Sequence, residues 1–205
     1  MKCFAIVCLL AFFCVVVSDA APPASPKPKL RPYTGIGVLL VPISDTEQSD
    51  SLSLYDEPAL SRRGTLNLGT VPPFEWIFGS GSTLLPMVVV ARKGTWLRVA
   101  YDDAGRESWL NSSRKNIYMP WDSFFKMHVC RILPGLQKKY YQLYQFPGKN
   151  GLAVVLPGQA FKVLRLDNDW AQILLDQTTL GWIRWRDDDG RLLMGISTPL
   201  SGMQP

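Results

Sequence analysis

The feature that most constrains this chain is a pair of tryptophans that occurs twice. Trp96-x-x-Val99 is matched by Trp170-x-x-Ile173, and Trp109-Leu110 by Trp182-Ile183; the two tryptophans stand 13 residues apart in the first copy and 12 in the second. Large apolar residues alternate with small or polar ones along these runs, the period of a strand with one buried face. Trp96 to Tyr101 leads into Asp102-Asp103-Ala104-Gly105, a sequence suited to a tight turn, and Glu107 to Leu110 returns, so residues 96–110 predict a β-hairpin. In the second copy Ala160 to Arg165, Trp170 to Leu175 and Leu180 to Trp185 read as strands. They are cut by Asp167-Asn168-Asp169 and Asp176-Gln177-Thr178-Thr179, and Asp187-Asp188-Asp189-Gly190 closes into residues 191–196. A strand pair cannot bury an apolar face alone, so each copy is expected to close into a small barrel of roughly five strands.

The match extends upstream. A valine precedes each first tryptophan by seven residues, Val89 and Val163, and both halves carry Leu-Tyr-x-x-Pro, as Leu54 to Pro58 and Leu143 to Pro147. Tyr55 lies 41 residues before Trp96, whereas Tyr144 lies 26 before Trp170. The first copy therefore carries about 15 extra residues, expected as an elaborated loop around Gly64 to Gly81. Ile36 to Ile43 is a further apolar run of strand length. Met119 to Phe125 predicts a short helix or turn packing the two copies together. The 16 prolines and 16 glycines argue against long helices.

This arrangement resembles the bacterial SH3-like (SH3b) domain, whose pattern runs from an opening strand near a proline, through a glycine-containing turn, to W-x-x-V and then G-W-V/I. The second copy has it in Pro157-Gly158, Trp170-x-x-Ile173 and Gly181-Trp182-Ile183; the first departs from it, with Ser108 in place of the glycine and the long loop. The resemblance covers residues 53–112 and 141–196. It implies an all-β chain of two tandem SH3-like barrels, with a linker between them that holds a short helix. One larger β-sandwich whose hairpins match by convergence is the rival reading.

The expected organisation is a signal peptide over 1–20, a Pro-rich linker over 21–35, a first SH3-like domain over 36–125 and a second over 126–205. Lys2 followed by the apolar stretch Phe4 to Val17 has the form of an export signal, with small residues Ser18 and Ala20 placing cleavage after Ala20. The run is shorter than the about 20 apolar residues that a membrane span needs, so no stable membrane insertion of the mature chain is expected; a retained anchor is the alternative. Three of the four cysteines lie in this segment, leaving Cys130, in an apolar run, to pack as a small hydrophobe. The net charge of +5 suits an anionic neighbour, but no run of five or more Lys/Arg supports nucleic acid binding.

Chemistry has few carriers. The one histidine, His128, and Cys130 lie two residues apart, and such a pair makes no nucleophile and base unless a third group orients the ring and a pocket receives substrate, so no catalytic residue is assigned and no enzyme is expected. Two soft ligands do not make a zinc site, Asp187 to Gly190 lacks the spaced ligands of a calcium loop, and no phosphate loop is present; neither metal nor cofactor is expected. What remains is aromatic and basic surface. SH3-like folds bind extended ligands in aromatic-lined grooves, and the resemblance places Tyr55, Trp96, Tyr144 and Trp170 near such a groove, with Trp109 and Trp182 in the core. Strand alternation sends Trp182, Arg184 and Arg186 to one face and Ile183 and Trp185 to the other. Arg184 and Trp185 therefore join the candidate ligand-binding residues, unless a seam between the copies covers both tryptophans. The expected partner is a cell-wall polymer (peptidoglycan or glycan) or an extended peptide or protein, met in the periplasm or at the cell surface. The alternative is a structural or assembly partner of another exported protein, with no wall binding.

Overall fold

The computed structural model describes residues 30–43, 51–112, 115–198 and 200; the expected export signal and most of the Pro-rich linker lie outside them. The first half contains β1 (Gly37–Pro42), β2 (Ser51–Glu57), β3 (Ser61–Asn67), helix α1 (Glu75–Phe78), β4 (Leu84–Lys93), β5 (Trp96–Ala100), β6 (Glu107–Asn111) and β7 (Ile117–Pro120). Helix α2 (Trp121–Met127) follows. The second half contains β8 (Val129–Ile132), β9 (Gln142–Phe146), β10 (Lys149–Val154), β11 (Ala160–Asp167), β12 (Trp170–Leu175), β13 (Thr179–Arg184) and β14 (Met194–Ile196). The strands form two antiparallel sheets, ordered β3-β2-β6-β5-β4-β1-β7 and β10-β9-β13-β12-β11-β8-β14. The second order is the first with seven added to every strand, so the internal repeat is complete at the level of topology. The chain is two tandem all-β modules, and the single larger sandwich does not occur.

Each module has seven strands rather than the roughly five expected, because the apolar runs at β1 and β8 and the short β7 and β14 all join their sheets. The hairpins fall where the turn residues place them. Gly105 has φ +73° after β5, and Asn168 has φ +50° after β11, a left-handed geometry that glycine and asparagine accept. Both modules also bulge at one equivalent place, Val90 between the Val89 and Ala91 pairings and Leu164 between those of Val163 and Arg165. The matched valines, Val89 and Val163, thus mark a repeated bulge.

Burial is unequal. One apolar cluster belongs to the first module, with Leu39, Val41, Leu54, Leu85, Met87, Val89, Leu97, Val99 and Leu110 inward. A larger one takes the other face of β1 and β4, Val38, Leu40, Leu84 and Val88, together with Ile77 and Phe78 of α1, Trp121, Phe124 and Phe125 of α2, and the core of the second module. This is why β1 reads Gly-Val-Leu-Leu-Val-Pro without alternation: both its faces are covered.

The elaborated loop, residues 68–83, joins β3 to β4, where residues 155–159 suffice between β10 and β11. It lies on the second module. An added Cβ at Gly195 would stand 2.3 Å from the Ile77 carbonyl oxygen, Arg131 donates to the Trp76 carbonyl at 2.8 Å, and the Ser82 hydroxyl donates to the Leu200 carbonyl at 2.8 Å. The described end of the Pro-rich segment crosses the same seam. The Thr34 N–H donates to Gly190 at 2.9 Å, Arg31 pairs with Asp187 at 2.7 Å, and the Ile36 N–H then enters the first module on the Val89 carbonyl at 2.7 Å. The Trp121 indole N–H donates to the Thr34 carbonyl. Asp187 is buried under Arg31 and accepts the backbone N–H groups of Asp189 and Arg191.

Candidate functional site

Cross-strand pairing builds an equivalent row of side chains on the solvent side of each sheet. In the first module the row reads Arg62, Tyr55, Trp109, Arg98, Ala91, on β3, β2, β6, β5 and β4. In the second it reads Gly151, Tyr144, Trp182, Gln172, Arg165, on β10, β9, β13, β12 and β11. Directly opposed residues lie about 5 Å apart at Cβ, and residues two apart on a strand share a face. The next row is therefore also outward: Lys93, Trp96, Asn111 in the first module and Asp167, Trp170, Arg184 in the second.

The rows bring the four predicted aromatics together as two pairs. Tyr55 meets Trp96 edge to face, with ring centroids 5.0 Å apart and planes at 85°; Tyr144 meets Trp170 at 5.5 Å and 90°. All four are half-buried. Edge-to-face contact sets one ring's positive edge against the other's negative face and fixes the rotamers of both. In each module the ring pair is thus a preformed apolar platform.

What surrounds the platform differs. In the second module the Arg184 guanidinium lies 5.6 Å from the Trp170 ring centroid and is clamped by Asp188 at 2.6 Å and Asp169 at 3.2 Å. Its Nε is buried without a hydrogen-bond partner. Hydrogen bonds from Lys139 and Arg184 hold the Asp188 carboxyl below its ordinary value. Arg165 covers Trp182 at 4.8 Å, which buries that ring although it points outward. In the first module Asn111 replaces Arg184 and Ala91 replaces Arg165, Trp109 stays half-buried, and Arg98 is tied to Glu107 at 2.7 Å.

Trp185 does not join these residues. It is 4% exposed, packs on Trp121 and Phe125 with centroids 6.3 and 6.1 Å away, and donates its indole N–H to the Asn168 carbonyl at 2.8 Å. The seam between the modules covers it, so it is core rather than ligand surface. Three further contributors, Arg165, Asp169 and Asp188, went unread as site residues because turn chemistry alone accounted for the aspartates. The arginine–aspartate alternation around Trp170 was the available signal.

His128 and Cys130 do not pair. The His128 ring nitrogen Nδ1 lies 2.7 Å from the Phe124 carbonyl oxygen, while the Cys130 thiol points toward the Phe125 carbonyl at 3.5 Å and burial pushes it up to about 12. Among the described residues no cluster of three or more His, Cys, Asp or Glu could hold a metal ion, and no helix is long and apolar enough to cross a membrane. A cavity of about 240 Å³ between residues 30–33 and the first module contains none of the platform residues.

The fold and rows define the chain as a protein of two tandem all-β modules, each with an outward aromatic pair. No protein-family model matches it, and no curated protein does. Among solved structures it is similar to one named Endolysin LysPBC5 CBD, at 14% identity, covering 78% of this chain and 94% of that one with a TM-score of 0.24, a likeness too loose to argue from.

Proposed function

We propose that this chain is an exported, non-catalytic binding protein whose modules, similar to bacterial SH3-like domains, recognise an extended component of the cell envelope: peptidoglycan, another glycan or an extended peptide. The observation that carries this reading is the Tyr–Trp pair set edge to face at the same place on the outward face of both modules. Flat apolar rings held rigid suit the faces of sugar rings or an extended backbone, and losing little conformational freedom on binding favours affinity. The clamped Arg184 beside Trp170 adds a fixed cation, which suits a polymer bearing carboxylate or phosphate. The non-catalytic part of the reading is supported by the burial and high pKa of the Cys130 thiol, which leave little thiolate to act as a nucleophile.

Co-sedimentation with purified sacculi tests it. Wild type is expected in the pellet. Trp170→Ala and Tyr144→Ala each reduce retention by roughly an order of magnitude, the loss of one aromatic contact of about 1 kcal/mol or a little more. Trp96→Ala reduces it less. Wild type remaining in the supernatant at low and physiological salt sinks the wall-binding reading.

A further inference from the structure

The first module encloses a space that its sister leaves open. The cavity of about 240 Å³ beside residues 30–33 has apolar walls from three parts of the chain: Leu30 of the N-terminal segment, Phe74 of the long loop, and Val88, Val90 and Ala100 of β4 and β5. Phe74 is held there at φ +44° and ψ +44°, a left-handed conformation that is costly for a bulky side chain and persists only where the surroundings impose it. In the second module Leu174 stands where the first has Ala100, and Lys162 where it has Val88. The space at that place is an open groove lined by second-module residues alone. The long loop and the crossing segment, by which the first copy departs from the repeat, are thus what close its cavity. Ligand cavities favour such seams between domains.

Charge decides what the cavity suits. Of the charged residues that line it, Arg31 is paired with Asp187 at 2.7 Å, Glu107 with Arg98 at 2.7 Å, and Asp102 with Arg106. Two have no counter-ion among the described residues. Asp103 is exposed and makes no hydrogen bond to the protein, while Arg191 donates to the Arg31 carbonyl at 2.7 Å and the Tyr33 hydroxyl at 3.1 Å but to no carboxylate. A guanidinium has five N–H donors, so Arg191 keeps donors for a ligand. A cleft that shares Leu30, Phe74 and Asp103 with the cavity opens it to solvent and adds another carboxylate, Glu75. A lone anion would meet the unpaired Asp103, and a lone cation would leave Arg191 unanswered. We propose that the cavity binds a small zwitterion with an apolar body, a free α-amino acid with an aliphatic side chain. Its carboxylate lies on Arg191, its ammonium on Asp103 toward the cleft, and its side chain against the apolar walls. The volume is below the roughly 300–1,000 Å³ of sites for drug-sized ligands, which excludes a length of polymer. No platform residue lines the cavity, so the inference stands apart from the envelope reading.

Calorimetric titration of the full chain tests this with three probes: L-leucine, isoamylamine, which lacks the carboxylate, and isocaproate, which lacks the ammonium. Leucine is expected to bind roughly tenfold or more tightly than either, the worth of one charged partner. Ala100→Leu copies the second module's residue into the first and should fill the cavity and abolish binding. Asp103→Asn, at an exposed turn, should weaken leucine about tenfold with an unchanged melting curve and leave isocaproate no weaker. Arg191→Gln should weaken leucine and leave isoamylamine as it was, whereas mere loosening of the N-terminal segment would weaken both. The assignment is overturned if leucine gives no binding heat up to its solubility limit, if either single-charge probe binds as tightly, or if folded Ala100→Leu binds leucine normally. Sacculus retention should be the same in Asp103→Asn as in wild type. Wild type that binds leucine but not sacculi would count against the envelope reading alone.

Discussion

The two modules share a strand order, a bulge and an outward Tyr–Trp pair, yet their differences sort by location. The first module departs from the repeat where it touches the second: its long β3–β4 loop carries α1 onto β14, and β1 is apolar on both faces because one face is covered by the neighbour. The second module departs on its outward face, where Arg184 and Arg165 stand in place of Asn111 and Ala91. One copy has thus been adapted toward its sister and the other toward solvent. The enlarged loop serves as an inter-module brace.

The comparison breaks first at the seam. Phe124 is fully buried among Phe78 of the first module's loop, Trp121 and Phe125, with ring centroids 5.4 to 5.9 Å away. Phe124→Ala is expected to cost about 3–5 kcal/mol, the range for a core phenylalanine. Because the larger core runs through both halves, urea unfolding should remain one transition, read alike by near-UV dichroism and by tryptophan emission. Two transitions would show that the modules are independent and that the brace stabilises little.

The next test exchanges the residue by which the first copy departs from the SH3-like pattern. A Cβ on Gly181 would stand 2.7 Å from Leu143 Cγ, inside a filled core. At the same place Ser108 is accommodated in the first module, and its hydroxyl donates to the Tyr55 carbonyl at 2.7 Å. Gly181→Ala should therefore destabilise by about 1–3 kcal/mol through overpacking. Ser108→Ala should cost about 1 kcal/mol, one hydrogen bond. Equal losses at the two positions would mean that the cores there are packed alike after all.

Much of the fold was legible because turn residues and period-two alternation are local signals. The hairpin from Trp96, the short α2 and the position of the long loop could all be read without the structure. Strands β7 and β14 could not, since runs of three or four residues join a sheet only because a distant edge is open to them. Within the site the Tyr–Trp pairs were legible from the repeat, whereas Trp185 was misplaced. Alternation gives the side of a strand but not whether α2 covers it, and here Trp121 and Phe125 do. The clamp on Arg184 was hidden because Asp169 and Asp188 lie in turns that would hold aspartate for its backbone preferences alone.

The smallest effect concerns that clamp. Hydrogen bonds from Lys139 and then Arg184 lower the Asp188 carboxyl from its ordinary value of 3.8. A depressed folded value means that the contribution is present above 3.8 and is lost as pH falls through the folded value, with no change expected between pH 8 and 5. The indole N–H resonance of Trp170 reports the guanidinium beside it and should shift only in that acid step. Asp188→Asn should abolish the step and leave Trp96 untouched, since Asn111 rather than an arginine stands opposite Trp96. The charge of Asp188 would have no part in holding Arg184 at the ring if Trp170 shifted equally in the variant, and the distinction drawn between the two outward faces would then rest on Asp169 instead.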